Sequence, residues 1–262
     1  MGLFNNWKRS GSTNQAWWIV VVATILLVSG LLLFGPQSAV GPEGIEYNPY
    51  PEMFRRLMSG LLVTAQVVFL SLIFSTLGGI AIGVGRVSRL YPARMAASMY
   101  VEIIRGIPLL VILFMIYYGM NQFLPPGHKL DAFVAAVIGL SLCYGAYMGE
   151  IVRAGIEAIP HEEIEAASLE GGRCQVLWYI TLPRALRTIL PAGANEFIAL
   201  LKDSSLISIL AISELTRTGQ EYAASKFLFF ETYAMVALIY MLMTLVLSRG
   251  VHLLESSWSS TK

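Results

Sequence analysis

Residues 60–85 read GLLVTAQVVFLSLIFSTLGGIAIGVG, without one aspartate, glutamate, lysine or arginine. A helix rises about 1.5 Å per residue, so crossing a hydrocarbon layer of roughly 30 Å takes about 20 mostly apolar residues. This run is long enough. Lipid offers no solvent to an open backbone, so a helix, which closes its own hydrogen bonds, is the form such a run must take. Working outward, five more stretches of similar character lie at Trp17 to Phe34, Met95 to Met120, Ala132 to Val152, Thr188 to Ile212, and Thr232 to Ser248. Composition agrees, since 56% of the 262 residues are hydrophobic and 13% are charged, against about a quarter charged in ordinary soluble domains. The expected fold class is an all-α membrane protein of about six transmembrane helices, and strand-length alternation is absent.

The 18 basic and 17 acidic residues nearly cancel, which removes the electrostatic footprint of a nucleic-acid binder. Cys143 and Cys174 stand singly in unlike surroundings, offering neither a disulfide framework nor paired metal-ligand spacing, and they read as packing residues. No G-x-x-x-x-G-K-S/T loop is present to cradle nucleotide phosphates, and neither H-E-x-x-H nor G-x-S-x-G occurs. His128, His161 and His252 fall on different segments. No catalytic residue and no metal site is therefore expected, and any fuel must be handled by another chain.

Lys8 and Arg9 precede the first apolar run, and Ser38 and Ala39 follow it, which is also the outline of a signal peptide. A signal h-region is usually about 7–15 residues, whereas this run reaches spanning length, so it reads as a retained anchor. Basic residues are kept on the cytoplasmic side. With the N-terminus inside, eleven lysines and arginines fall on the inner side and five on the outer, with Arg105 and Lys202 within spans. Both termini are then cytoplasmic. The stretch Gly35 to Pro51 becomes an outer loop, and the polar segment 154–187 an inner one.

Gly79 and Gly83, and again Gly145 and Gly149, repeat at a spacing that lets helices approach closely, within the chain or between subunits. Charges inside spans cost about 3 kcal/mol at a helix centre and need partners or a wet cavity. Glu102 and Arg105 are spaced to pair on one helix face, with Pro108 kinking the helix beyond them. Glu150 and Arg153 repeat that spacing near a membrane exit, as a second structural ion pair. Glu196 differs, because no basic residue lies three or four positions away. Gly193, Glu196, Ala199 and Asp203 share a stripe at helical spacing, which belongs toward a partner or an aqueous path rather than lipid. Pro191 is placed to open the helix just before that stripe. Glu196 and Asp203 are candidate substrate-path residues, a carboxylate there being able to bind an ammonium group. A structural hydrogen bond, or a pairing of Glu196 with Lys202, is the competing role.

The inner segment is patterned as two short helices. Pro160 suits a first helical position, and Glu162, Glu163 and Glu165 favour the positive helix end. Gly171 and Gly172 break the helix, and a second one, Gln175 to Thr181, is expected to end before Pro183. The stretch Glu165-Ala166-Ala167, Gly171, and Ile180-Thr181-Leu182-Pro183 resembles the EAA loop of permease subunits from bacterial ATP-binding-cassette importers, and more narrowly their polar amino-acid branch of histidine, glutamine and arginine systems. Three further pieces agree: residues 102–109 (EIIRGIPL), 150–155 (EIVRAG) and 202–206 (KDSSL). The likeness covers about Gly60 to Leu254. It departs in two respects: the distance from Gly171 to Ile180 is one residue shorter than is usual in that family, and the run Trp17 to Phe34 adds a helix to a five-helix core.

The resemblance implies the following. Residues 1–59 hold an N-terminal segment, the extra helix and an outer loop, residues 60–255 the permease core, and residues 256–262 a tail. The location is the bacterial inner membrane. Glu165, Ala166, Ala167, Gly171, Ile180, Leu182 and Pro183 would dock a separate cytoplasmic ATPase, which holds the ATP and magnesium. Itself or a sister permease would complete a dimer, and an extracytoplasmic amino-acid-binding protein would deliver substrate. A self-contained transporter driven by an ion gradient through Glu196 and Asp203 is the alternative, which leaves the inner helical pair unexplained. A membrane enzyme or assembly protein is a third reading, and the missing nucleophile and metal patterns weigh against the enzyme half.

Overall fold

The computed structural model describes residues 19–27, 30, 39–40, 46–125, 127–170 and 172–259. Side chains at 39–40, 46–47, 161, 166, 168, 170, 173, 174 and 252–259 lie outside the described set. Of the Trp17 to Phe34 run, residues 19–27 and 30 are helical and the remainder lies outside the described residues. Two short strands, β1 (Ala39–Val40) and β2 (Glu46–Tyr47), pair antiparallel, with Ala39 opposite Tyr47. Among the described residues beyond them, the regular elements are all helical.

Helix α1 (Tyr50–Arg86) contains the opening apolar run and extends it by ten residues toward the N-terminus, beginning at Pro49 and Pro51. Its pattern is inverted relative to a soluble helix. Gly60, Thr64, Ser71, Ser75, Gly79 and Gly83 form the buried stripe, while Leu62, Phe69, Phe74, Leu77 and Val84 point outward. Small side chains let a neighbouring backbone approach, and lipid accepts the large apolar ones. The neighbour is α5 (Ala132–Glu157): a Cβ at Gly79 would lie 2.4 Å from Met148 Cβ, and one at Gly83 2.5 Å from Val152 Cβ. The glycine repeats therefore serve packing within the chain.

The Met95 to Met120 stretch is not one straight span. Helix α2 (Tyr91–Gly106) stops at Ile107, and α3 (Leu109–Phe114) restarts after Pro108, the two halves being bent by 102°. A proline bars its predecessor from helical torsions, and Ile107 is extended at φ −109° and ψ 132°. Where a kink was expected, the helix breaks. A π segment (Met115–Gly119) and α4 (Met120–Phe123) complete the second half.

After α5 come α6 (His161–Glu170) and α7 (Arg173–Val176), followed by a π segment (Leu177–Thr181) that runs directly into α8 (Leu182–Asp203). Pro183 does not end the second short helix. It lies just past the junction, where the wide π turn before it takes up the ring and the missing N–H that an α turn would not. Pro191 likewise leaves α8 unbroken. The stretch Thr188 to Ile212 divides where α8 gives way to a 3₁₀ connector (Ser204–Leu210), closed by Ala211 in the left-handed region at φ 59°. Helices α9 (Leu215–Lys226) and α10 (Phe229–Ser259) follow.

Three helices are long and apolar enough to cross a membrane, namely Tyr50–Arg86, Ala132–Glu157 and Phe229–Val251, and the bent pair makes up to four among the described residues. One core cluster joins α1, α3, α5, α8 and the connector through Val67, Leu113, Leu140, Leu200 and Ile207. A second joins the start of α1 to α9 and α10 through Met53, Leu57, Leu215, Tyr222 and Met235.

Candidate functional site

The stripe Gly193, Glu196, Ala199 and Asp203 faces α5. A Cβ on Gly193 would meet Met148 at 3.1 Å, and Ala199 packs on the cluster that contains Tyr144. Asp203, half-buried, accepts a hydrogen bond from the Tyr144 hydroxyl at 2.8 Å. Glu196, also half-buried, feels the charges of both Arg105 and Asp203. Lys202 is exposed beside this stripe. The arrangement places two carboxylates two helical turns apart on α8, a phenol between helices, and a guanidinium approaching from α2.

Arg105 and Glu102 do not form the pair their spacing suggests. Glu102 is exposed, while the Arg105 guanidinium lies over the Tyr147 ring, 5.2 Å from its centroid, and 3.8 Å from Glu150. An aromatic face and a carboxylate on α5 together hold a cation better than one carboxylate on its own exposed helix face. Glu150 is the centre of a larger cluster: one oxygen takes Arg153, the other Arg86 from the end of α1, and Arg153 also meets Glu157. The spacing of Glu150 and Arg153 foretold one of these contacts. Arg86 was not legible as a partner, because it lies 64 residues away in sequence. Tyr144 was missed as well, and its one signal is that a phenol inside an apolar run needs an acceptor.

Along the inner segment, Glu165 and Pro183 are exposed, and Ala167, Ile180 and Leu182 are half-exposed. Gly171 lies outside the described residues, as does the side chain of Ala166. The elbow is closed by the Gly172 N–H donating to Gln175 Oε1 at 3.0 Å, and Glu163 pairs with Arg184 across it. Leu169, Trp178 and Tyr179 are strongly exposed around this elbow. An elbow with large apolar side chains turned outward and alanine within its first helix is a surface suited to another protein.

Residues 75–260 match the sequence profile described as the binding-protein-dependent transport system inner membrane component. The chain belongs to that family. Among relatives of these inner membrane components, the probable amino-acid ABC transporter permease PatM of Vibrio harveyi is 37% identical over 79% of this chain and 93% of its own length. The L-cystine transport system permease TcyB of Bacillus subtilis is 38% identical over 76% of this chain and 85% of its own. A crystal structure of an amino acid ABC transporter with histidines superposes with a TM-score of 0.74 at 36% identity, covering 81% of this chain and 99% of that one. The MetNI methionine transporter in an inward-facing form shares the fold, with a TM-score of 0.65 at 19% identity over 79% of this chain and 98% of its own. The chain is thus a multi-pass membrane component of a transport system.

Proposed function

We infer that this inner membrane component is the permease subunit of an ATP-driven amino-acid importer. The observation that carries this is the likeness to an amino acid ABC transporter chain along 99% of its length, with amino-acid permeases among the relatives. The gradient-driven alternative is not favoured by that kinship. ATP and magnesium belong to a cytoplasmic partner, a binding protein delivers substrate from the other side, and a second permease chain completes the path. Both ends of the chain lie in the cytoplasm, in keeping with the distribution of lysine and arginine.

The elbow of α6, α7 and the π segment is the handle the ATPase grips, through Glu165, Ala166, Ala167, Gly171, Ile180, Leu182 and Pro183. Glu196 and Asp203 line the path, and a substrate ammonium is the group they suit. Closure of the ATPase pulls the elbow, α5 and α8 move with it, and the path changes the side to which it opens. The decisive experiment is reconstitution into proteoliposomes with and without the ATPase and binding protein. Uptake of labelled amino acids that needs ATP and all three components is the expected result. Uptake by this chain alone on an ion gradient would remove the importer reading.

A further inference from the structure

Glu214 has no exposed surface, and among the described residues no other charged side chain is buried so completely. It precedes α9 as the capping residue. Its Oε1 accepts from the Arg217 N–H at 2.7 Å, and its Oε2 accepts from the Thr216 N–H at 2.8 Å and the Tyr240 hydroxyl of α10 at 3.2 Å. Thr64 of α1 lies 3.4 Å from Oε2 and accepts the Leu215 N–H at 3.0 Å. Gly60 makes this junction possible, since a Cβ there would sit 2.9 Å from the Glu214 carbonyl oxygen. At the other end of α9, the Tyr222 hydroxyl donates to the Pro49 carbonyl at 2.9 Å. Helix α9 is therefore fastened to α1 at both ends.

A cap needs one acceptor, and serine or aspartate supplies it at little desolvation cost. A buried carboxylate is expensive unless every lone pair is met by a donor. Here the donors come from α9 and α10, with Thr64 of α1 alongside, so the node is stable only while those three helices keep their present arrangement. Asp203 precedes the connector, Ala211 closes it, and Glu214 follows three residues later, its N–H donating to the Ile212 carbonyl at 2.7 Å. Asp203 is held by Tyr144 of α5 on one side and by this fastened connector on the other.

We propose that Glu214 is a positioning residue for the transport path: it locks α1, α9 and α10 into one body and thereby fixes the connector that sets the place of Asp203. The role for Asp203 rests on the function proposed above. The test uses the full transporter complex in nanodiscs and proteoliposomes, with Glu214→Gln and the milder Thr64→Val and Tyr240→Phe. Amide hydrogen exchange is followed by mass spectrometry, and uptake is measured with an isotope-labelled mixture of the common amino acids. Exchange across residues 204–212 should quicken by on the order of tenfold in each variant, with uptake falling in step and recovery of the assembled complex unchanged. Faster exchange confined to the first turn of α9, with the connector and uptake as in the wild type, would reduce Glu214 to a helix cap and overturn the proposal. Asp203→Asn separates the two layers: a loosened connector in Glu214→Gln with unaltered uptake in both it and Asp203→Asn would overturn the path role of Asp203.

Discussion

Glu150 gathers Arg86, Arg153 and, at 3.8 Å, Arg105, which joins α1, α2 and α5 through a single carboxylate. Arg86 retains only 13% side-chain exposure, so its charge depends on that partner. Replacing Glu150 by glutamine should destabilise the protein by about 2 kcal/mol, a buried-pair cost discounted for partial solvent access. Thermal unfolding in detergent would register this as a lowered midpoint, and an unchanged midpoint would mean that the cluster is screened. Glu196 has no such fastening. Glu196→Gln is expected to leave assembly intact and to lower uptake at least tenfold on the order-of-magnitude basis that one lost charge-assisted contact is worth about 1.5–3 kcal/mol. Full uptake would assign the carboxylate to structure.

At the scale of elements, the approach of α1 to α5 depends on missing side chains. A Cβ at Gly83 would fall 2.5 Å from Val152 Cβ, while Gly78 has nothing within 4 Å of that position. Gly83→Leu should force the helices apart at a cost of about 1–3 kcal/mol, and Gly78→Leu should be tolerated. Equal yields and equal midpoints for the two variants would contradict this packing. The same scale shows what was and was not legible. Length and apolarity marked α1, α5 and α10, because spanning a bilayer is a property of one segment. They did not mark the 102° break at Ile107 and Pro108, which proline alone signals only as a kink, nor the passage of the π segment into α8 through Pro183.

For the whole molecule, the proposed mechanism carries motion from the elbow through α5 and α8 to the stripe of Glu196 and Asp203. Gly155 of α5 sits so close to Ile189 of α8 that a Cβ would lie 2.4 Å away, so the two helices are in firm contact just beyond the elbow. Glu165→Lys, at an exposed site on α6, should leave membrane insertion and unfolding unaltered while abolishing most ATP-dependent uptake. Co-purification of the ATPase and the uptake rate would be measured together, and undiminished transport would take the elbow out of the mechanism.

Taken alone, the residues settled that this chain is a helical membrane protein, with its longest apolar runs as helices. That follows from local composition, because lipid sorts segments one at a time. The tertiary structure decided which carboxylate each arginine meets, how Asp203 finds Tyr144, and how Glu214 is sheltered. The reason is physical: partners such as Arg86 and Glu150 are 64 residues apart and Thr64 and Glu214 are 150 apart, and their encounter depends on helix packing that no spacing along one helix encodes.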